Sequence, residues 1–90
     1  MASHKSAEKR HRQGEKRRAR NHALRSRLRR LVKRVESALQ RKNAAEAESE
    51  LRTAARELDK AVTKGVLHRN NASRRLSRLT IRLNGIRAAS

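Results

Sequence analysis

From Ala2 to His22 the chain carries no hydrophobic side chain larger than Ala2, Ala7 and Ala19. Burial gains about 25 cal/mol per Å² of apolar surface, and this stretch has almost none to offer. It cannot pack against its own protein. Yet the whole chain lacks proline, so nothing stops a helix from running through it. Lys5, Lys9, Arg10, Arg12, Lys16, Arg17, Arg18 and Arg20 cover every face of such a helix. Over Met1 to Lys42, sixteen Lys or Arg against three acids give +13 of the total +18. This density is the electrostatic footprint of a polyanion binder. Left free, the like charges would melt the helix. A rod pressed between nucleic-acid strands needs cations all round, whereas a duplex-groove reader needs one basic face.

The remaining composition narrows the chemistry. Sixteen large aliphatics in ninety residues, with high net charge, border on the composition of disordered chains. The fold is therefore marginal, or completed on a partner. No Phe, Tyr or Trp is present, so unpaired bases have no aromatic platform to stack on. Recognition must run through cations, amides and backbone, and so through phosphate, ribose and shape. Cysteine is absent, which excludes disulfides and thiolate chemistry. No segment approaches the roughly 18 to 20 apolar residues of a membrane span. The N-terminal charge is not followed by the apolar run of a secretory signal, and the expected location is the cytoplasm.

Three helical segments are expected within one domain, residues 1–90: about 4–42, about 44–64 and about 68–87. Ser3 or Ser6 suits the first N-cap. The first segment has an apolar stripe only in its later half, at Leu24, Leu28, Leu31, Val35 and Leu39, widened by Val32 and Ala38. Gly14, inside its basic half, costs about 1 kcal/mol relative to Ala and invites flexibility. Asn43 followed by Glu46 resembles a capping box. The second stripe is Ala47, Leu51, Ala54, Leu58 and Ala61, flanked by Ala55 and Val62. Asn43 to Lys64 carries four basic and five acidic residues, so this segment faces solvent and supports the others. Gly65 reads as a helix stop in the left-handed conformation. The third stripe is Ala72, Leu76, Leu79, Leu83 and Ile86, with Arg74, Arg75, Arg78 and Arg82 opposite it. No acid follows Lys60. The pattern predicts an all-α, antiparallel three-helix bundle with an overlong basic N-terminal helix projecting from it.

Metal binding and catalysis find little support. His4, His11 and His22 lie near one line of a helix, but about 10 and 16 Å apart at helical rise. Zinc needs its ligands within about 2.1 Å of one point. Hydrogen bonding to phosphate or ribose, or plain exposure, suits these histidines better. Glu46 and Glu50 mimic a paired-carboxylate site, yet acids offsetting Arg52, Arg56 and Lys60 explain them more simply. There is no glycine-rich phosphate loop and no nucleophile elbow. No cofactor is expected. The most specific local feature is Lys64-Gly65-Val66-Leu67-His68-Arg69-Asn70-Asn71, which sets a turn, a histidine, a cation and two amides beside a helix start. Its plain reading is an interhelical turn capped by Asn. A DNA-compacting protein would need a dimer surface or minor-groove wedges. A membrane-active helix would need an apolar face in its first twenty residues. A helix-turn-helix reader around Gly65 would need a base-reading mix that the Arg-rich third segment lacks.

Two blocks of residues resemble the bacterial small-subunit ribosomal protein S20 family. One is Lys5-Ser6-Ala7, Lys9-Arg10, Arg12-Gln13, Glu15-Lys16-Arg17-Arg18 and Arg20-Asn21, then Ser26, Arg29, Lys33 and Val35. The other is Lys64-Gly65-Val66-Leu67-His68-Arg69-Asn70, Ala72, Arg74, Ser77, Arg78 and Leu79. The resemblance implies a three-helix bundle whose long first helix is buried in ribosomal RNA. It implies early, direct binding to the 5′ domain of small-subunit ribosomal RNA and to the long helix near its 3′ end. It also implies few protein contacts, no membrane, no homo-oligomer and no catalysis. The expected RNA-binding residues are the eight cations from Lys5 to Arg20, then Asn21, Arg25 and Arg29, and Lys64, His68, Arg69, Asn70, Arg74, Arg75 and Arg78. Against the family pattern, Arg69 replaces a usual Lys, Ser73 a usual Ala, and Leu76 a frequent cation. His4, Glu8, His11 and Gly14 vary the first block.

Overall fold

The computed structural model describes residues 3–89, and of Ser3 and His4 the backbone alone. Three helices account for nearly all of them: α1 (Ser3–Gln40), α2 (Ala44–Thr63) and α3 (Arg69–Ala89). The molecule measures 69 × 20 × 14 Å. Its radius of gyration is 18.0 Å, against about 12 Å for a compact chain of this length. Helix α1 causes the difference. At 1.5 Å per residue its 38 residues span about 57 Å, and it runs unbroken through Gly14.

The core forms where the apolar stripes meet. One cluster joins Leu31, Val35, Ala38 and Leu39 of α1 to Ala47 and Ala54 of α2 and to Leu79 and Leu83 of α3. The other joins Leu28 of α1, Leu58 and Ala61 of α2, Val66 of the α2–α3 loop and Ala72 of α3. The order of residues in the two clusters fixes the directions. The end of α1 meets the start of α2, and the end of α2 meets the start of α3, so successive helices are antiparallel. Ala47, Ala54 and Ala61, seven residues apart, are fully buried; their small side chains let α1 and α3 close on α2. No residue before Leu24 belongs to either cluster. The first half of α1 is thus held by its own backbone bonds.

Both turns are Schellman motifs. At the α2 end, Gly65 donates to Val62 and Val66 donates to Ala61, each at 3.0 Å, with Gly65 at φ 75°. At the α1 end, Lys42 donates to Leu39 and Asn43 to Ala38, with Lys42 at φ 58°. This left-handed residue ends α1 at Gln40, before Lys42. Asn43 then caps α2, its Oδ1 accepting from the Glu46 N–H at 3.2 Å while its Nδ2 donates to Glu46 Oε2 at 3.1 Å. A Cβ at position 65 meets nothing within 4 Å, so only conformation opposes a larger residue there. Gly65→Ala should cost about 1–2 kcal/mol, and each kcal/mol lowers the melting temperature by roughly 4–8 °C. Thermal melting by circular dichroism checks this; an unchanged midpoint would show that the loop reaches the same path without a left-handed residue.

Candidate nucleic-acid interface

Carboxylates decide which cations stay available. In α2, Glu46 takes both Arg41 guanidinium nitrogens at 2.8 and 2.9 Å. Glu48 takes Arg52 at 2.8 Å and Arg87 of α3. Glu57 takes Arg27 of α1 at 3.3 Å and Lys60 at 3.9 Å. The hydrogen bond from Arg41 holds the Glu46 carboxyl below the usual carboxylate range, and raises Arg41 in turn. That from Arg87, then the charges of Arg87 and Arg52, lowers Glu48. Glu46 and Glu48 are therefore shifted in the direction of ion-pair partners, opposite to the raised pKa of a general acid. Among the described residues, no ion pair includes any of the cations expected to bind RNA. Charge is therefore sorted: α2 neutralises its own side, and α1 with α3 keeps its positive side open.

The open side is grooved. Between α1 and α3, Arg74, Arg75, Arg78 and Arg82 line a groove with Asn71, Val32, Glu36 and Leu79. It adjoins a cleft where Arg25 and Arg29 of α1 meet His68, Asn71 and Arg75, above a floor of Leu28, Leu58, Val66 and Leu67. A third groove brings Arg17, Arg20, Asn21, Arg27 and Arg30 together with Lys64, again with Val66 in its lining. The α2–α3 loop thus stands between two basic surfaces. The two sequence blocks, separated by the 28 residues between Val35 and Lys64, come together here. The Arg25 Nη2 donates to the Val66 carbonyl at 3.2 Å and ties the loop to α1.

The placement of the expected residues divides in three. Arg17, Arg20, Asn21, Arg25, Arg29, Lys64, His68, Arg74, Arg75 and Arg78 line these grooves. Lys5, Lys9, Arg10, Arg12, Lys16 and Arg18 stand exposed on the projecting rod, where the Arg18 Nε donates to the Gly14 carbonyl at 3.4 Å. Arg69 and Asn70 are exposed in the first turn of α3. That turn is not capped by Asn. His68 Nδ1 accepts from the Asn70 N–H at 3.1 Å, and the His68 carbonyl accepts from Ala72 at 3.2 Å. Asn71 instead receives the Arg75 Nε at 2.8 Å. Imidazole is an uncommon cap, so the Asn pair was the more obvious candidate from sequence. Arg30 and Arg82 also line the grooves but were outside the expected set. Position on the helical wheel pointed to Arg82; Arg30 depends on how the loop crosses α1. Leu76 packs on the lower core cluster, which explains an apolar residue there.

Among the described residues, no three His, Asp or Glu side chains converge as a metal site would require. No helix is long and apolar enough to cross a membrane.

Comparison with known proteins bears on this surface directly. The family model described as ribosomal protein S20 matches residues 2–84. Three relatives carry the name small ribosomal subunit protein bS20. That of Carboxydothermus hydrogenoformans is 59% identical over 49 residues, 54% of this chain and 53% of its own length. That of Pelotomaculum thermopropionicum is 64% identical over 45 residues, 48% and 51% of the two chains. That of Corynebacterium urealyticum is 61% identical over 41 residues, 46% and 47%. In these matches the chain spans about half the length of the curated relatives. The family model reaches further, across both basic blocks and all three helices, and on that match the chain belongs to the ribosomal protein S20 family.

Proposed function

We propose that this protein is a structural component of the small ribosomal subunit that binds small-subunit ribosomal RNA directly and stabilises RNA helix packing during assembly. Its place is then the cytoplasmic ribosome, and it performs no catalysis. The observation that carries this reading is the sorting of charge: the acids of α2 pair Arg41, Arg52 and Lys60 and reach across to Arg27 and Arg87, while among the described residues no ion pair includes a cation expected to bind RNA. Such a surface neutralises phosphates where RNA helices converge and releases condensed counterions. The protein acts as a fixed polycation that lowers the cost of bringing RNA strands together. Specificity comes from RNA shape and from the spacing of cations on a stiff rod. By family resemblance the RNA surfaces are the 5′ domain and the long helix near the 3′ end.

Binding to a small-subunit RNA transcript tests this through its salt dependence. Six to ten phosphate contacts should lose on the order of 10³ to 10⁵ in affinity between about 50 and 200 mM salt, by analogy with duplex DNA. Affinity that barely moves with salt, or equal affinity for duplex DNA, would overturn the proposal.

A further inference from the structure

Resting on the RNA-binding reading, we propose that the cleft between α1 and the start of α3 is a preorganised seat for a single RNA phosphate, with Arg75 as its ligand and Asn71 as the residue that positions it. The rod and the cleft differ in how their cations are held. Rod side chains are exposed and restrained by little beyond their own helix. Arg75 is exposed as well, but it carries a tether: its Nε donates to Asn71 Oδ1 at 2.8 Å, one turn earlier on the same helix. That bond uses one of the five guanidinium donors and leaves four in a set plane, the arrangement that grips a phosphate through two oxygens. The tether leaves less rotamer freedom to surrender on binding than an untethered arginine has.

The surroundings suit an anion. Arg29 lines the same cleft from α1. His68 spends Nδ1 on the Asn70 N–H, so its neutral ring carries the proton on Nε2, a further donor. The floor is apolar, and Val66 in it is buried. Charges above an apolar floor interact more strongly than charges in open water. Arg25 also lines the cleft, but one of its nitrogens is committed to the Val66 carbonyl at 3.2 Å. That bond also positions the loop against α1. No carboxylate lines this cleft; Glu36 lies in the neighbouring groove.

A double-mutant cycle on the full chain tests the assignment, with a transcript of the small-subunit RNA 5′ domain as probe. Arg75→Lys keeps the charge and loses the planar fork; Asn71→Ala keeps every charge and frees Arg75. Each is expected to weaken binding about tenfold with the salt slope unchanged, because the number of neutralised phosphates stays the same. If Asn71 acts through Arg75, the double variant binds within about threefold of either single one. A hundredfold loss in the double variant, or wild-type affinity in Asn71→Ala, would overturn the seat. Should Asn71→Ala fail to fold by circular dichroism, Arg75→Lys decides alone: a loss below about twofold rejects the seat, since a loosely held cation would tolerate lysine. Failure of wild-type protein to bind the transcript at all would instead reject the RNA-binding reading beneath it.

Discussion

Replacing Arg17, Arg18 and Arg20 together by Glu should abolish RNA binding while leaving the bundle folded. Each change removes a cation and adds an anion, so the net charge falls from +18 to +12. All three are exposed, and none touches either core cluster. Arg17 and Arg20 share a groove with Lys64, where two of the new carboxylates would meet incoming phosphates. Losing three phosphate contacts flattens the salt dependence by about 2–3 in log–log slope. Like-charge repulsion then acts in place of attraction, and a loss of at least about 10³ in affinity is expected. The melting transition should hold or rise slightly, because the rod repels itself less. Titration of a labelled transcript, with circular dichroism on the same samples, reads both effects. Unaltered binding would remove the first half of α1 from the interface.

The largest expected effect on stability comes from Leu58→Ala. Leu58 is 1% exposed and sits in the cluster that joins α1, α2, the loop and α3. Truncating a buried leucine costs about 2–5 kcal/mol, with the upper range where neighbours cannot collapse into the gap. Its neighbours include Ala61 and Ala72, too short to fill the space. A domain of this size has roughly 5–13 kcal/mol in total, and the projecting half of α1 adds nothing to the core. Chemical denaturation should therefore show a large fraction of stability lost, and the melting midpoint should fall by about 10 °C or more. Ile81→Ala is the control: at 67% exposure it should change stability by less than about 0.5 kcal/mol. A Leu58→Ala variant as stable as that control would mean that the lower cluster does not hold the bundle together.

Much of this architecture was legible in the residues themselves. A stripe spaced three and four apart has one solution, a helix with one buried face. Leu28, Leu31, Val35 and Leu39 are all buried, as are Ala47, Ala54, Leu58 and Ala61, and Leu79 and Leu83. Gly65 signalled its own turn because only a residue without Cβ adopts positive φ freely. Lys42 gave no such signal, since a lysine in that conformation is disfavoured and tolerated only where the turn demands it. Val66 escaped the stripes because a lone residue in a turn has no period. Its burial depends on α1 passing beneath the loop. The candidate interface was readable as a set of cations but not as a surface. Which of them face grooves depends on the register between α1 and α3. Which are cancelled depends on acids reaching across helices, as Glu57 does to Arg27 and Glu48 to Arg87.

The near-neutral flank formed by α2 also limits how far contact can spread. A rod cationic on every side along its whole length would cross-link any transcripts it met and draw them out of solution as a coacervate. Here that behaviour is confined to the slender extension, whose circumference is uniformly basic. Beyond it the particle has a near-neutral back, so on the proposed reading RNA would gather on one aspect and contact would stop at the other. On that reading the molecule would work as a wedge driven to a fixed depth, with the acidic helix as its stop.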